Sequence, residues 1–211
     1  MNIISLQVEP IGTNCYLVCD EAARVCAVVD PGGSAQRVRA AVEKTGCRPA
    51  CILLTHGHYD HAGGVSELRA VWPDIPVYLN RRDVYPPTDA YAQELFPALP
   101  GPVTDYDEGS TVSVGRLLFT VLATPGHSEG SVTLRVEDTL LCGDTLFAGS
   151  CGRTDLPGGS PEKMMTSLRR LGSLRGDLAV LPGHEGTTDL EQERRWNPYL
   201  RQAMGLGAET V

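Results

Sequence analysis

Apolar runs bounded by Gly, Pro and Asp recur along the chain, some alternating with polar positions and some unbroken. Residues 3–8, 15–19 and 25–29 predict three strands near the amino end, and Asp30-Pro31-Gly32-Gly33 turns the chain after them. Ser34 is placed to cap a helix running to Thr45, with Val38, Ala41 and Val42 on one face and Gly46 as its stop. Further helices are predicted over residues 64–71 and 161–171. The second has Ser160 as cap, Pro161 in the first turn, and Met164, Leu168 and Leu171 at helical spacing. A last helical stretch, residues 188–203, should kink or divide at Pro198. Between residues 81 and 110 the periodicity dissolves and prolines gather at 86, 87, 97, 100 and 102. That segment reads as a surface connection with a short helix rather than as a lid over a site.

Strand and helix runs interleave in both halves of the chain, which favours an α/β sandwich with helices outside over an all-β barrel. With 211 residues, 42% of them apolar and 21% charged, residues 1–211 are expected to form a single globular domain. Aromatic residues make up only 6%, so Val, Leu and Ala must build most of the core. A net charge of −8 argues against a nucleic-acid partner, which needs a basic face to displace phosphate counterions. No basic stretch followed by an apolar run opens the chain, and no run is long enough to span a membrane. The seven cysteines (15, 19, 26, 47, 51, 142 and 151) are odd in number, none forms C-x-x-C, and several lie inside apolar runs. A reduced, cytoplasmic protein acting on a small-molecule substrate is the expectation, and Cys142 and Cys151 read as packing residues.

Four strand-like runs each lead to a side chain able to bind metal. Residues 51–55 run into His56-Gly57-His58-Tyr59-Asp60-His61, and residues 117–123 run through Thr124-Pro125-Gly126 into His127. Residues 139–143 end on Asp144, and residues 178–183 end on His184. Ligand sites in α/β folds gather at such strand ends. In an extended segment alternate residues share a side, so His56, His58 and Asp60 would face one point, with Tyr59 turned away to pack. His61 would reach a second point by a local turn. A lone histidine is usually a surface or hydrogen-bonded residue. Three with an aspartate inside six residues after an apolar strand suit a borderline metal such as zinc, or manganese or iron.

These motifs, Thr55-His56-Gly57-His58-Tyr59-Asp60-His61-Ala62-Gly63-Gly64, Thr124-Pro125-Gly126-His127-Ser128, Gly143-Asp144 and Pro182-Gly183-His184, resemble the metallo-β-lactamase superfamily. Thr13-Asn14-Cys15-Tyr16 and Val29-Asp30-Pro31-Gly32 are similar to that family's opening strands. The resemblance implies an αβ/βα sandwich of two mixed β-sheets with helices on the outer faces and metals at one edge. It implies two divalent ions, zinc first with iron or manganese as alternatives. One would lie on His56, His58 and His127, the other on Asp60, His61 and His184, with Asp144 bridging both. Asp60 and Asp144 would then be the catalytic carboxylates, serving a hydroxide shared by the ions.

The stretch from Asp144 to Asp155 is similar to glyoxalase-II-like thioester hydrolases, which split hydroxyacylglutathione. Longer members place Lys and Tyr after Cys-Gly, whereas this chain has Arg153, Thr154 and Asp155, and it ends soon after the last ligand. The resemblance is therefore to a short form that holds glutathione loosely. Arg153 is expected either to meet a substrate carboxylate or to pair with Asp155. Persulfide dioxygenases, with a single iron and molecular oxygen, share the Gly152-Arg153-Thr154-Asp155 stretch and form the alternative, and a lactone or phosphodiester hydrolase could use the same cluster.

Overall fold

Strands covered on both faces need apolar side chains at every position, and the unbroken runs near the amino end meet that need. A computed structural model describes residues 1–85 and 88–206 and, for Tyr91, the backbone only; Pro86 and Pro87 lie outside the described residues. A five-stranded sheet follows the order β1 (Asn2–Val8), β2 (Thr13–Asp20), β3 (Val25–Val29), β4 (Arg48–Leu53) and β5 (Val77–Tyr78). Its first two pairings are antiparallel and the last two parallel. Helix α1 (Ala35–Thr45) links β3 to β4, while α2 (Tyr59–Ala62) and α3 (Val65–Val71) lie between β4 and β5. A 3-10 turn at Arg81–Asp83 and α4 (Ala90–Leu95) lead into the second half.

The second sheet has six strands, counted from one edge as β13, β12, β9, β8, β7 and β6. They span β6 (Thr111–Val114), β7 (Leu117–Ala123), β8 (Val132–Val136), β9 (Thr139–Gly143), β12 (Ala179–Pro182) and β13 (Thr188–Asp189). Only the β9–β12 pairing is parallel. A small ribbon of β10 (Leu146–Phe147) and β11 (Ser150–Cys151) follows β9, then α5 (Pro161–Gly172), with α6 (Leu190–Trp196) and α7 (Pro198–Ala203) closing the described chain.

Side-chain alternation sorts these strands into three apolar layers. Along β2, Cys15, Leu17 and Cys19 face α1 and α3, while Tyr16 and Val18 face the other sheet. Along β4, Ile52 joins the helix side, and Cys51 and Leu53 join the inter-sheet core with Phe119, Val121 and Leu134. Across the second sheet, Leu140, Cys142 and Val180 pack under Met164, Leu168 and Leu200 of the carboxyl-terminal helices. The result is two mixed sheets face to face with helices outside, as the resemblance implies. Asp20, at the end of β2, fastens the sheets at one edge. Its carboxylate accepts from the Arg116 backbone N–H at 2.7 Å and the Arg116 guanidinium at 2.7 Å, in the turn between β6 and β7.

The predicted helices at 64–71, 161–171 and 188–203 are found within a residue or two, except that residues 188 and 189 form an edge strand. Ser160 accepts from Lys163 N–H as a cap, and Asn197 with Pro198 divides the last stretch. Ser34 departs from expectation: its backbone is left-handed (φ 52°), and its hydroxyl accepts from Glu9 N–H instead of capping α1. Six cysteines are buried, Cys142 among them, and Cys151 is half-buried against the helix layer; none is in a disulfide. No described helix is long and apolar enough to cross a membrane.

Candidate metal centre

Each of the four strand-to-ligand transitions is present. His56 and His58 follow β4, His127 follows β7, Asp144 follows β9 directly, and His184 follows β12. Asp60 and His61 lie in α2, so these two are delivered by a helical turn and not by an extended segment. Three groups of three result: His56 with His58 and His127, Asp60 with His61 and His184, and, joining those two triads, His56 with His61 and Asp144. Within each group the candidate ligand atoms lie within 4.8 Å of one another. Asp144 stands between the two triads, with Oδ1 3.3 Å from His61 Nε2, and Oδ2 3.5 Å from His127 Nε2 and 3.4 Å from His184 Nε2.

Hydrogen bonds on the far side of each ring decide which nitrogen carries the proton. Asp30, in the loop after β3, accepts from the Thr55 hydroxyl at 2.7 Å, so the Thr55 oxygen is left to accept from His56 Nδ1 at 3.1 Å. The same Asp30 Oδ2 lies 3.0 Å from His61 Nδ1. His127 Nδ1 donates to the Arg153 carbonyl at 2.8 Å. His56 and His127 therefore turn their Nε2 lone pairs inward, and His61 Nε2 points the same way. His127 Nε2 ends 2.8 Å from His58 Nδ1, and His61 Nε2 faces carboxylate oxygens of Asp60 and Asp144 at 3.3 Å. His56 Nε2, His58 Nε2, His61 Nε2 and Asp144 Oδ1 are buried without a hydrogen-bond partner. Four unpartnered buried polar atoms in one cluster call for a shared partner, and this donor set of imidazoles and carboxylates suits a divalent metal.

The electrostatics agree. Burial, reinforced by the neighbouring imidazoles, drives His56 well below the ordinary histidine value and takes His58 to about 3, so both rings are neutral, as metal binding would need. Burial also opposes charge on His61, but the Asp144 and Asp30 carboxylates outweigh it and hold this ring well above the usual value, so with no cation between them His61 Nε2 keeps a proton that a bound metal would displace. Burial likewise disfavours an ionised Asp60, yet His184, His61 and the Thr13 hydroxyl, which donates at 2.9 Å, keep its carboxyl below the usual range.

The cluster opens into a cavity of about 380 Å3 whose walls include Ile11, Tyr59, Leu95, Phe147, Arg153 and Leu156. Tyr59 is 37% exposed at this mouth and not packed inside, because the helical turn swings it outward. The proline-rich connection also departs from the bland expectation. Leu95 lines the cavity, and the Phe96 ring lies 4.5 Å from the His58 ring. Arg153 forms a two-pronged ion pair with Asp155, both contacts at 2.7 Å, while its side chain remains exposed at the cavity. Sequence reasoning did not single out Asp30, Thr13 and Thr55 as supports for the ligands. Asp30-Pro31-Gly32 registered as a turn, although an aspartate ending an apolar strand is the same signal that marked Asp144.

Residues 8–184 match the family model of the metallo-β-lactamase superfamily, and the chain belongs to that superfamily. Among its curated relatives, the probable metallo-hydrolase YqgX of Bacillus subtilis (strain 168) is 37% identical over 92% of this chain and 95% of that one. The hydroxyacylglutathione hydrolase of Enterobacter sp. (strain 638) is 36% identical, covering 100% of this chain and 80% of that one. Among solved structures, the BLEG-1 B3 metallo-β-lactamase superposes with a TM-score of 0.82 at 32% identity, over 94% of this chain and 99% of that one. TTHA1623 in a di-iron-bound form gives 0.80 at 37%, over 93% and 99%. ETHE1 from Myxococcus xanthus gives 0.78 at 28%, over 99% and 92%.

Proposed function

We propose that the chain is a dinuclear metal-dependent hydrolase of thioesters of the hydroxyacylglutathione type, with zinc as the first candidate metal. The observation that carries this reading is the inward convergence of five imidazoles and two carboxylates into two triads that share Asp144. His56, His58 and His127 would hold one ion and Asp60, His61 and His184 the other. Bound ions would supply an acidified water as nucleophile and an electrophile for the acyl oxygen.

The chain's own residues set the conditions for that chemistry. Asp144 faces both triads, and Thr13 fixes the rotamer of Asp60. Phe147, Leu156 and Ile11 offer apolar walls to the acyl group. A thiolate leaves without help from a strong general acid, so the reaction asks for none from the cavity walls. Similarity to the Enterobacter hydroxyacylglutathione hydrolase along the full chain supports the thioester class. Weak hold on glutathione follows from Arg153, the one cation lining the cavity among the described residues, being engaged by Asp155.

The test is steady-state kinetics on several thioesters sharing one acyl group, alongside a lactone, a phosphodiester, a β-lactam and a persulfide, with metal content measured on the same sample. Expected are thioester hydrolysis, a high KM for lactoylglutathione and little discrimination among thiol carriers. Tight, selective use of the glutathione ester would refute the loose-carrier part. Oxygen-dependent persulfide consumption with one iron per chain, and no thioesterase activity, would replace the hydrolase reading with the dioxygenase one.

A further inference from the structure

Asp83 is a carboxylate 2% exposed, at the end of the 3-10 turn before α4. None of the hydrogen bonds that its carboxylate accepts comes from its own turn. Oδ2 accepts from the Gly57 backbone N–H at 2.9 Å and from the Ser128 hydroxyl at 2.7 Å, and Oδ1 accepts from the Gly130 backbone N–H at 2.7 Å. Gly57 separates His56 from His58, Ser128 directly follows His127, and Gly130 comes two residues later. One buried carboxylate thus ties together the two loops that carry all of the first triad.

The glycines in those loops are shaped around it. Neither Gly57 nor Gly130 has a positive φ, so backbone conformation does not demand glycine at either position. Space does. A Cβ on Gly130 would lie 2.7 Å from Asp83 Cγ, and one on Gly57 would lie 2.9 Å from Asp83 Cβ and 3.0 Å from Phe96 Cδ1. The missing side chains make room for the carboxylate and for the Phe96 ring that lies tilted against His58.

We infer that Asp83 is a positioning residue for the His56–His58–His127 triad, fixing the separation of its two loops so that His58 Nδ1 and His127 Nε2 meet. This rests on the reading above that the triad holds an ion. The second triad takes its support from elsewhere, Asp60 from Thr13 and His61 from Asp30, so loss of Asp83 should fall on one ion and spare the other. Asparagine is nearly isosteric, yet in either orientation its NH2 must face a backbone N–H, of Gly57 or of Gly130. That leaves a buried donor unpaired.

The experiment is titration of the metal-free protein with Co(II), following binding by calorimetry and by the visible ligand-field bands, for wild type, Asp83→Asn and Ser128→Ala. Wild type should take two ions. Asp83→Asn should bind one ion as wild type does and the other 10- to 100-fold more weakly, the usual cost of losing a support behind a metal ligand. Ser128→Ala keeps the carboxylate and removes one donor, so it should show a smaller loss at the same step, and it is read alone if Asp83→Asn does not fold. Equal binding of both ions by the variants, or an equal weakening of both, would overturn the assignment of Asp83. Failure of wild type to bind two ions would instead defeat the dinuclear reading, which separates the two outcomes.

Discussion

Asp144 is the side chain on which the two triads depend together. It is buried, its oxygens lie 3.3 to 3.5 Å from imidazoles of both triads, and although burial opposes charge, His61, His127 and His184 hold its carboxyl below the usual range. Asp144→Ala should therefore lower kcat/KM by several orders of magnitude, because the loss touches both the water to be acidified and the carbonyl to be polarised. The fold should survive, since the carboxylate makes none of the hydrogen bonds that join strands or cap helices. Matched circular dichroism and metal content, with turnover measured on the same sample, check both parts. Near-normal turnover in a metal-replete variant would show that Asp144 does not bridge.

Between secondary-structure elements the most exposed dependence is the Asp20 fastening of β2 to the β6–β7 turn. Arg116, through its guanidinium and its backbone N–H, holds the Asp20 carboxyl below the ordinary carboxylate range. A carboxyl whose folded value is depressed contributes stability above its unfolded value near 3.9, and that contribution fades as pH falls towards the folded value. Asp20→Asn should accordingly melt at a lower temperature than wild type at pH 7, with the gap closing as the pH is taken below about 4. Melting curves across that range provide the check, and a gap independent of pH would assign the effect to packing. Such ties show where sequence reading ends. The four strand-to-ligand transitions could be read because apolar runs and their terminal His or Asp are neighbours in the chain. Asp60 was misplaced in an extended segment because a helix of four residues is too short to show a period. Ser34 failed as a cap because capping depends on backbone torsion, which residue type does not fix. Asp83 escaped notice because its partners lie 26, 45 and 47 positions away, and Phe96 meets His58 across a similar gap.

The sandwich places its seven candidate ligands on both sides of the inter-sheet seam. His56, His58, Asp60 and His61 come from the loop and helix α2 after β4, and His127, Asp144 and His184 come from loops after strands of the opposing sheet. Ions bound as proposed would pin one sheet to the other, adding about 4 kcal/mol of stability for each ion at a thousandfold excess over its Kd. The buried cysteines can record this in time. Cys51 lies between the sheets, Cys15, Cys19 and Cys26 lie under α1 and α3, and Cys142 lies under the carboxyl-terminal helices. Burial lifts the thiols of Cys51 and Cys142 to about 12, so neither reacts until its own layer opens. Pulsed alkylation read by mass spectrometry would thus date the opening of each layer separately. Chelation should hasten the tagging of Cys51 most, and a uniform acceleration of every buried thiol would mean that the sheets part only when the entire chain does.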